Sequence, residues 1–300
     1  MKKITFYIIS FLISLNAVAQ STKFIVYSVK GKPILVSTSQ PLITGTKINE
    51  TDIIKINTND VVILVCENYK TVKIYNEGLF KVSTLVKLCS KQTNDLTTSY
   101  FKYIWEEFTH PHSNPEENHK KFMKTTGAVS RGCNDSTIIP SIDSICLIQN
   151  KMYLFRWSFL WVVDDEEPEL KIKVFDDRNY GRTLIDSTVQ WGDVNVTNVL
   201  NRLPSGDYFW LLTNNPTKPC DRNYVGIYSQ QEFDTIFNKI KKKVVAVDDA
   251  SEKFMIGYLL EQQNFLLEAC SYYEQAIKLS PKNEMYSNRL KVFKKTFFNQ

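Results

Sequence analysis

Short runs of alternating apolar and polar residues, separated by turn-forming residues, occupy the chain from Phe24 to Leu85. Alternation with a period of two is typical of β-strands that bury one face. Lys30-Gly31 predicts a tight hairpin, and further turns are predicted at 57–60 and 76–78. At least five short strands without a helical pattern predict a small antiparallel β domain, a sandwich or barrel, over residues 20–91.

A helical period follows this first β region. Tyr100, Ile104 and Phe108 recur at spacings of four residues, as on one face of an amphipathic helix. Pro111 cannot continue the backbone hydrogen bonds, and a second, capped helix is predicted beyond it. We therefore predict a helical linker over residues 92–130.

Strand patterns return between Ile138 and Thr213, and helical patterns follow to the end of the chain. Five apolar runs with period-two alternation predict a β-sandwich over 131–220. Beyond Arg222 the apolar positions recur every three or four residues, which predicts an all-α domain over 225–300. The predicted fold class is therefore multi-domain α+β. Two small antiparallel β domains are joined by a helical linker, and a helical domain lies at the C-terminus.

The N-terminus has the three parts of a secretory signal. Lys2 and Lys3 precede about a dozen mostly apolar residues, and Ala17-Val18-Ala19 has the small residues that signal peptidase requires. The apolar run is shorter than the roughly 20 residues that span a bilayer, and an uncleaved anchor or a buried helix are the alternatives. We predict a signal peptide at 1–19 and an exported protein, periplasmic or secreted, that does not span the membrane after cleavage.

The composition is typical of a globular chain. The hydrophobic fraction is 43%, and 37 basic residues against 32 acidic ones give a net charge of +5. Removing Lys2 and Lys3 with the signal leaves 35 basic residues and lowers the net charge to +3. A charge so small and dispersed does not favour nucleic-acid binding. The local basic run Asn238–Val244 is expected on the solvated face of a helix.

Six cysteines in an oxidising compartment allow up to three disulfides and fifteen pairings, among which the sequence does not choose. The candidate disulfide partners are Cys66, Cys89, Cys133, Cys146 and Cys220. Cys270 lies in a helical pattern and is expected to stay free. No Cys-x-x-Cys pair occurs, so neither a redox motif nor a zinc ribbon is indicated.

Four short motifs mark turns and strands of the first β region: Val29-x-Gly31-x-x-Ile34, Asp52-x-Ile54, Val61-x-Ile63-Leu64 and Gly78-x-Phe80-x-Val82. They resemble the β domain of FecR-like proteins, a family of envelope proteins that includes regulators of sigma factors. The chain departs from the family at Thr51, where glycine is usual. Because these are turn and strand positions, the resemblance implies a fold, with a part in envelope signalling as an alternative function.

The segment from Leu203 to Tyr208, Leu-Pro-Ser-Gly-Asp-Tyr, precedes the last strand of the second β region. Leu203, Pro204, Gly206 and Tyr208 resemble the tyrosine corner of fibronectin type III and immunoglobulin-like sandwiches. In those folds the tyrosine hydroxyl satisfies a backbone group just upstream. The resemblance implies an immunoglobulin-like sandwich for residues 131–220, and another β architecture is the alternative.

The most specific motif lies between Phe254 and Pro281. Its positions suit two closely crossing helices and the end of the second one: Ile256, Gly257, Leu260, Ala269, Tyr273, Ala276 and Pro281. Their offsets resemble a tetratricopeptide repeat of 34 residues, except that Leu260 replaces the usual aromatic residue. The resemblance implies helices that present a surface to a protein or peptide, with neighbouring helices completing the domain.

All three histidines, His110, His112 and His119, fall in one tract. Glu116 and His119 have the Glu-x-x-His spacing of carboxylate-bridged metal sites, but those sites need the motif twice. A zinc site that includes Glu106 is sterically conceivable, yet the tract is polar and rich in turn residues, with no apolar shell to exclude water. We interpret it as a connector and assign no metal ligand. A metal-binding protein or metal-dependent hydrolase is the rival hypothesis.

The chain has no Gly-x-Ser-x-Gly elbow, Walker loop or His-Glu-x-x-His motif. We therefore predict a protein that is not an enzyme and uses no cofactor. The combination of modules is typical of an envelope scaffold or adaptor that binds a protein or peptide partner through its tetratricopeptide-like helices. Nucleic acid is not an expected partner.

Overall fold

The structure, a computed structural model, describes residues 22–89, 96–109, 138–140, 144–151, 154–159, 170–177, 181–189, 193–195, 200, 202–213 and 222–298. The chain divides into two compact units. Unit 1 comprises Met1–Pro111 and Ala246–Asp248, and unit 2 comprises His112–Val245 and Asp249–Gln300. Antiparallel sheets in the N-terminal part and four helices at the C-terminus confirm a mixed α+β fold.

Unit 1 contains two four-stranded antiparallel sheets. The strands, and the short helix that follows them, are β1 (Thr22–Lys30), β2 (Ile34–Leu35), β3 (Gln40–Pro41), β4 (Lys47–Asn49), β5 (Ile53–Ile56), β6 (Val61–Cys66), β7 (Thr71–Ile74), β8 (Gly78–Lys81) and α1 (Val82–Leu85). One sheet has the order β4-β1-β6-β7, and the other has the order β3-β2-β5-β8. Apolar side chains from both sheets, such as Val26, Leu64 and Ile54, share one buried core.

The predicted hairpin at Lys30-Gly31 is wrong, because β1 and β2 belong to different sheets. The turns at 57–60 and 76–78 also carry the chain from one sheet to the other. Turn residues specify where a chain changes direction, but they do not specify which strand pairs with which. In unit 1 the pairing follows from burying apolar faces of both sheets in one core.

Two of these turns are joined by the buried side chain of Asp60. Its carboxylate accepts hydrogen bonds from the Lys32 backbone N–H at 2.8 Å and from the backbone and side-chain N–H groups of Asn57 at 3.0 Å. Gly31 has φ +87°, and a Cβ there would overlap the carboxylate. Burial opposes ionisation of Asp60, but the hydrogen bonds from Lys32 and Asn57 outweigh it and hold its pKa below the ordinary value.

Replacing Asp60 by Ala is expected to lower the free energy of unfolding by about 1–3 kcal/mol, because three N–H groups of two turns lose a charged acceptor. The wild-type contribution should be complete above the unfolded-state pKa of about 3.9 and should decline as the pH falls toward the lower folded-state pKa. Urea unfolding at neutral and acidic pH measures both effects. The same pH dependence in the wild type and in Asp60→Ala would contradict this role for the carboxylate.

Helix α2 (Leu96–Thr109) belongs to the core of unit 1. Tyr100 and Phe101 are at most 2% exposed. The Tyr100 ring meets the Tyr27 ring of β1 edge-on, and its hydroxyl donates a hydrogen bond to the Tyr27 hydroxyl at 3.0 Å. The predicted linker over 92–130 therefore begins with a helix that is part of a folded unit. The second helix predicted within that linker lies outside the described residues.

Three residues from late in the chain, Ala246–Asp248, complete unit 1. Ser28 of β1 is fully buried. Its hydroxyl donates a hydrogen bond to the Asp248 carboxylate at 2.5 Å and accepts one from the Val247 N–H at 2.9 Å. These hydrogen bonds satisfy a polar group inside unit 1 with partners that lie about 220 residues further along the chain.

Cys66, at the end of β6, forms a disulfide with Cys89. Cys146 has a free, buried thiol, so its assignment as a candidate disulfide partner is wrong in this structure. The space beside its sulfur is taken by the β16 backbone and tyrosine side chains, which are described below. Cys270 is also free, as expected. The remaining candidates lie outside the described residues: Cys133 and Cys220.

The β part of unit 2 contains two sheets. Its strands are β9 (Ile138–Pro140), β10 (Ser144–Ile148), β11 (Leu154–Phe159), β12 (Leu170–Phe175), β13 (Thr183–Val189), β14 (Asp193–Asn195), β15 (Gly206–Thr213) and β16 (Asn223–Tyr228). The five-stranded sheet has the order β10-β16-β15-β12-β13, and the three-stranded sheet has the order β14-β11-β9. Neighbouring strands are antiparallel except for β10 and β16, which are parallel.

Strand β16 shows that the expected change to helix beyond Arg222 is wrong. Val225, Gly226 and Ile227 are buried, while Tyr224 and Tyr228 at either side of them are half-buried. The strand pairs with β10 on one side and β15 on the other, so it is an interior strand of the sheet. Six residues are too few for a strong period-two pattern, and the helix begins immediately after them.

Four helices follow: α3 (Gln230–Lys243), α4 (Asp249–Glu261), α5 (Leu266–Leu279) and α6 (Glu284–Phe298). Ser229 and Glu232 form a capping box at the start of α3, in which each side chain accepts a hydrogen bond from the other residue's backbone N–H. The Cys146 N–H of β10 donates to the Asn264 carbonyl oxygen between α4 and α5 at 2.8 Å. The predicted boundary between sandwich and helices thus falls inside one compact unit. In the described part of the chain, no helix has the length and apolar character needed to cross a membrane.

Candidate binding surface

The repeat-like positions of α4 and α5 lie inside the helical region. The buried ones are Ile256, Gly257, Leu260, Ala269, Tyr273 and Ala276. A Cβ on Gly257 would lie 2.9 Å from the Tyr273 ring and 3.2 Å from the Ala269 carbonyl oxygen, so the close crossing of α4 and α5 requires glycine. Pro281 is exposed just beyond the end of α5. The buried motif positions therefore pack helices together and are not available to a partner.

Replacing Gly257 by Ala is expected to lower the free energy of unfolding by about 1–2 kcal/mol. Overpacking against Tyr273 should exceed the gain of up to about 1 kcal/mol in helix propensity. Urea unfolding followed by circular dichroism measures the change. As a control, Ser271→Ala on the exposed side of α5 should change stability by less than about 0.5 kcal/mol. A more stable Gly257→Ala protein would contradict the close crossing.

Helix α4 is enclosed over most of its length. Every residue from Phe254 to Glu261 is buried. The Phe254 ring stacks on the Tyr286 ring of α6 at 4.3 Å between centroids, while Gly257 meets α5. A partner can therefore contact little of α4 beyond its first turns.

A charged pair lies inside this helical region. The side chains of Glu261 in α4 and Arg289 in α6 are 1% and 2% exposed. Arg289 Nη2 donates to Glu261 Oε2 at 2.5 Å, and the Tyr273 hydroxyl donates to the same oxygen at 2.7 Å. Burial, and then the Glu261 charge, raise the pKa of Tyr273 well above its ordinary value. This polar contact connects three helices, and the sequence analysis missed it.

A row of five aromatic rings runs from β16 through the helical region. Tyr228 of β16 meets Phe265 at 5.3 Å, and Phe265 meets Phe233 of α3 at 5.1 Å. Phe233 stacks on Phe237 at 5.6 Å, and Phe237 meets Tyr272 of α5 at 5.8 Å. Phe265 and Phe233 are buried, whereas Phe237 and Tyr272 are half-buried. The middle of the row is therefore buried, and its outer end reaches the surface between α3 and α5.

Three lysines lie over rings of this row. Lys241 Nζ is 5.0 Å from the centroid of Phe237, and Lys253 Nζ is 5.4 Å from that of Tyr272. Lys151 Nζ, 5.3 Å from the Phe233 centroid, also pairs with Glu268 at 3.3 Å. By contrast, Lys241 and Lys253 pair with no carboxylate in the described part of the chain.

We call the outer end of the row the lysine–aromatic surface, and it consists of Phe237, Lys241, Lys253 and Tyr272. Three more exposed lysines surround the last turns of α3: Lys239, Lys242 and Lys243. This basic run lies on an exposed part of α3, as predicted, but its aromatic neighbours were not predicted. Phe233, Phe237 and Lys241 at spacings of four were the available signal.

The free thiols are not poised for chemistry. Cys146 lies beside Gly226 of β16, where an added Cβ would meet the Tyr224 hydroxyl at 2.7 Å and the Cys146 sulfur at 3.3 Å. Tyr224 donates a hydrogen bond to Asp207 at 2.6 Å. Burial raises the pKa of Cys146 to about 12 and that of Cys270 to about 11. Both sulfurs are therefore protonated at neutral pH, and neither is a nucleophile.

The tyrosine-corner residues adopt the geometry that their order implies. Tyr208 is buried in β15, and its hydroxyl donates a hydrogen bond to the Pro204 carbonyl oxygen at 3.1 Å. Gly206 begins the strand, and the Leu203 carbonyl oxygen accepts a hydrogen bond from the Gln149 side chain at 3.0 Å. The corner fixes the entry to β15 and takes no part in the surface.

The histidine tract lies outside the described residues, which include neither His110, His112 and His119 nor Glu116. In the described ranges, no three His, Cys, Asp or Glu side chains are grouped so that they could hold a metal ion. The metal-site hypothesis therefore stays a prediction from the sequence.

Comparison with known proteins adds no relative to this picture. No protein-family model matches the sequence, and no curated protein matches it. The functional argument accordingly rests on the residues of this chain.

Proposed function

We propose that this protein is an exported, non-catalytic scaffold or adaptor of the cell envelope that binds a protein partner through its helical region. In this proposal unit 1 contains a FecR-like β domain, and unit 2 joins an immunoglobulin-like sandwich to tetratricopeptide-like helices. The signal-like N-terminus supports export.

The connectivity of unit 2 supports the immunoglobulin-like assignment. Strands β9, β11 and β14 correspond in order to A, B and E of one sheet, and β12, β15 and β16 correspond to C, F and G of the other. Strand β13 extends this second sheet beside C, and β10 lies parallel to G at its other edge. The hydrogen bond from Tyr208 to Pro204 is a second and independent point of agreement.

Two features support the tetratricopeptide-like assignment: the close crossing at Gly257 and the continuation of the α4–α5 pair by α6. Repeat proteins commonly bind a partner on the concave face made by such helices. Because α4 is enclosed, we do not propose binding on that face. We therefore place the partner on the outside of the helical region.

The lysine–aromatic surface is the observation that supports a binding role. Within the described residues, Lys241 and Lys253 pair with no carboxylate, and both lie over half-buried rings. A surface group of aromatic and charged side chains of this kind is typical of an interaction site. Aromatic residues are enriched at protein interfaces, since they bury a large area with little loss of side-chain entropy.

Photo-crosslinking tests the proposal. A benzophenone amino acid is placed at Ser271, an exposed neighbour of Tyr272, in the full-length protein in its own cells. We expect a crosslinked partner protein that is identified by mass spectrometry, and a sharp decrease of this product in the Lys241→Glu, Lys253→Glu variant. The matched control Lys291→Glu, an exposed lysine of α6, should leave the product unchanged. No product, or an equal yield from the double variant, would contradict the proposal.

A further inference from the structure

We propose that the lysine–aromatic surface binds a short acidic segment of the partner, in which carboxylate side chains flank an apolar or aromatic one. This inference rests on the proposed function and adds the chemistry of the ligand.

The charges of the surface favour an anionic ligand. Lys241 and Lys253 contact rings and pair with no carboxylate in the described residues, while Lys151, next along the aromatic row, already pairs with Glu268. Lys239, Lys242 and Lys243 are exposed around the same end of α3 and add to the positive potential. Carboxylates of a ligand could pair with these ammonium groups without displacing another carboxylate of the described residues. The positive potential would also attract the ligand from a distance.

The rings supply the apolar half of the site. Phe237 is held from behind by its stacked contact with buried Phe233, and Tyr272 holds it from the side. Because these contacts fix the rings before binding, little side-chain entropy remains to be lost when a ligand covers them. An apolar residue can pack on the rings while neighbouring carboxylates reach the ammonium groups above them.

A peptide fits this surface better than a membrane or a nucleic acid. Membrane-binding helices insert exposed apolar side chains, but Phe233 is buried and Phe237 is held within the aromatic row. Nucleic acid requires a longer basic track with a strong net positive charge, whereas this chain carries only +5. Two lysines over two neighbouring rings, Lys241 over Phe237 and Lys253 over Tyr272, match the length of a few peptide residues.

Binding of synthetic peptides to the full-length protein tests the inference. The probe is a fluorescein-labelled peptide with four glutamates around one tryptophan, and the two matched peptides replace the glutamates by glutamine or the tryptophan by alanine. We expect fluorescence anisotropy to detect binding of the acidic peptide that weakens as salt is raised. The glutamine peptide should bind at least about tenfold more weakly, and the alanine peptide should also bind more weakly.

Variants locate the peptide on the protein. Lys241→Glu with Lys253→Glu should weaken binding of the acidic peptide at least about tenfold, while Lys291→Glu should not change it. If the reversed charges disturb folding, as judged by circular dichroism, the Lys241→Gln, Lys253→Gln variant replaces them. Phe237→Leu should weaken binding of the tryptophan peptide and leave that of the alanine peptide nearly unchanged.

The outcomes separate this inference from the proposed function. The proposal of an acidic segment would be overturned if the glutamate and glutamine peptides bound equally well. It would also be overturned if the double variant Lys241→Glu, Lys253→Glu bound the acidic peptide as well as the wild type does. Preferential binding to vesicles with anionic lipid, or to dextran sulfate, over the acidic peptide would also overturn it. Any of these results is compatible with a crosslinked partner at Ser271. Failure of that crosslink, despite binding of the acidic peptide, would instead reject the proposed function.

Discussion

Replacing Arg289 by methionine is expected to lower the free energy of unfolding by about 3–5 kcal/mol. The change removes the cation that compensates Glu261, whose side chain is 1% exposed, and it leaves only the Tyr273 hydroxyl as hydrogen-bond donor. A carboxylate left uncompensated in an apolar interior must be protonated or hydrated for the helices to stay packed. Urea unfolding, followed by the helical circular-dichroism signal, measures the loss.

Two control variants test whether the loss of stability comes from the burial of this charged pair. Lys294→Met, also in α6, breaks a half-exposed pair with Glu274 and should cost less than about 1 kcal/mol. The double change Glu261→Leu with Arg289→Met should recover part of the loss, since both charges then leave the interior together while the buried Tyr273 hydroxyl loses its acceptor. If Arg289→Met proves no more costly than Lys294→Met, the pair is not buried in solution.

Removing the disulfide with Cys66→Ala and Cys89→Ala is expected to destabilise unit 1 by about 3 kcal/mol. The bond joins residues 23 apart, and a loop of this length restricts the unfolded chain by about that amount. Hydrogen exchange with mass spectrometry measures the two units separately in the intact protein. We expect faster exchange in β1 and β6.

In the same hydrogen-exchange experiment, unit 2 serves as the control for unit 1. Protection of β15 and β16 in unit 2 should not change, because the disulfide lies within unit 1. Cys270→Ala, which removes a free and half-buried thiol of unit 2, should leave unit 1 as it was. Unchanged protection in β1 and β6 of the disulfide-free protein would show that the folded sheets do not depend on the cross-link.

Local sequence patterns predicted where the strands and helices lie better than they predicted which strands pair with one another. Short apolar runs bounded by turn residues located the segments that became β1, β5 and β6, and helical spacing located α2. The turn at Lys30-Gly31 was recognised as a turn, yet it joins two sheets, because the strands that pair with β1 are β4 and β6, which begin 17 and 31 residues beyond Lys30. Pairing depends on which apolar faces meet in the core, and a turn contains no information about that.

In the helical region, too, local spacing predicted the helices, whereas contacts between residues far apart in the sequence were not predicted. Gly257 and Ala269 follow a spacing that predicts two crossing helices, and the structure has that crossing. The pair formed by Glu261 and Arg289 joins residues 28 apart in the sequence, and each looks like an ordinary surface charge until its burial is known. The lysine–aromatic surface escaped prediction for a similar reason, since Lys253 and Tyr272 come from different helices.

The return of Ala246–Asp248 to unit 1 has a consequence for how the protein is made. The rest of unit 1 ends at Pro111, so the ribosome must add 137 further residues, from 112 to 248, before the Ser28 hydroxyl has its partners. At about 5–20 residues per second this takes roughly 7–27 s. If the β-sheets of unit 1 form during that time, the Ser28 hydroxyl in their interior either lacks a hydrogen-bond partner or is hydrogen-bonded to water. The first unit to be synthesised is therefore among the last parts of the chain to be completed.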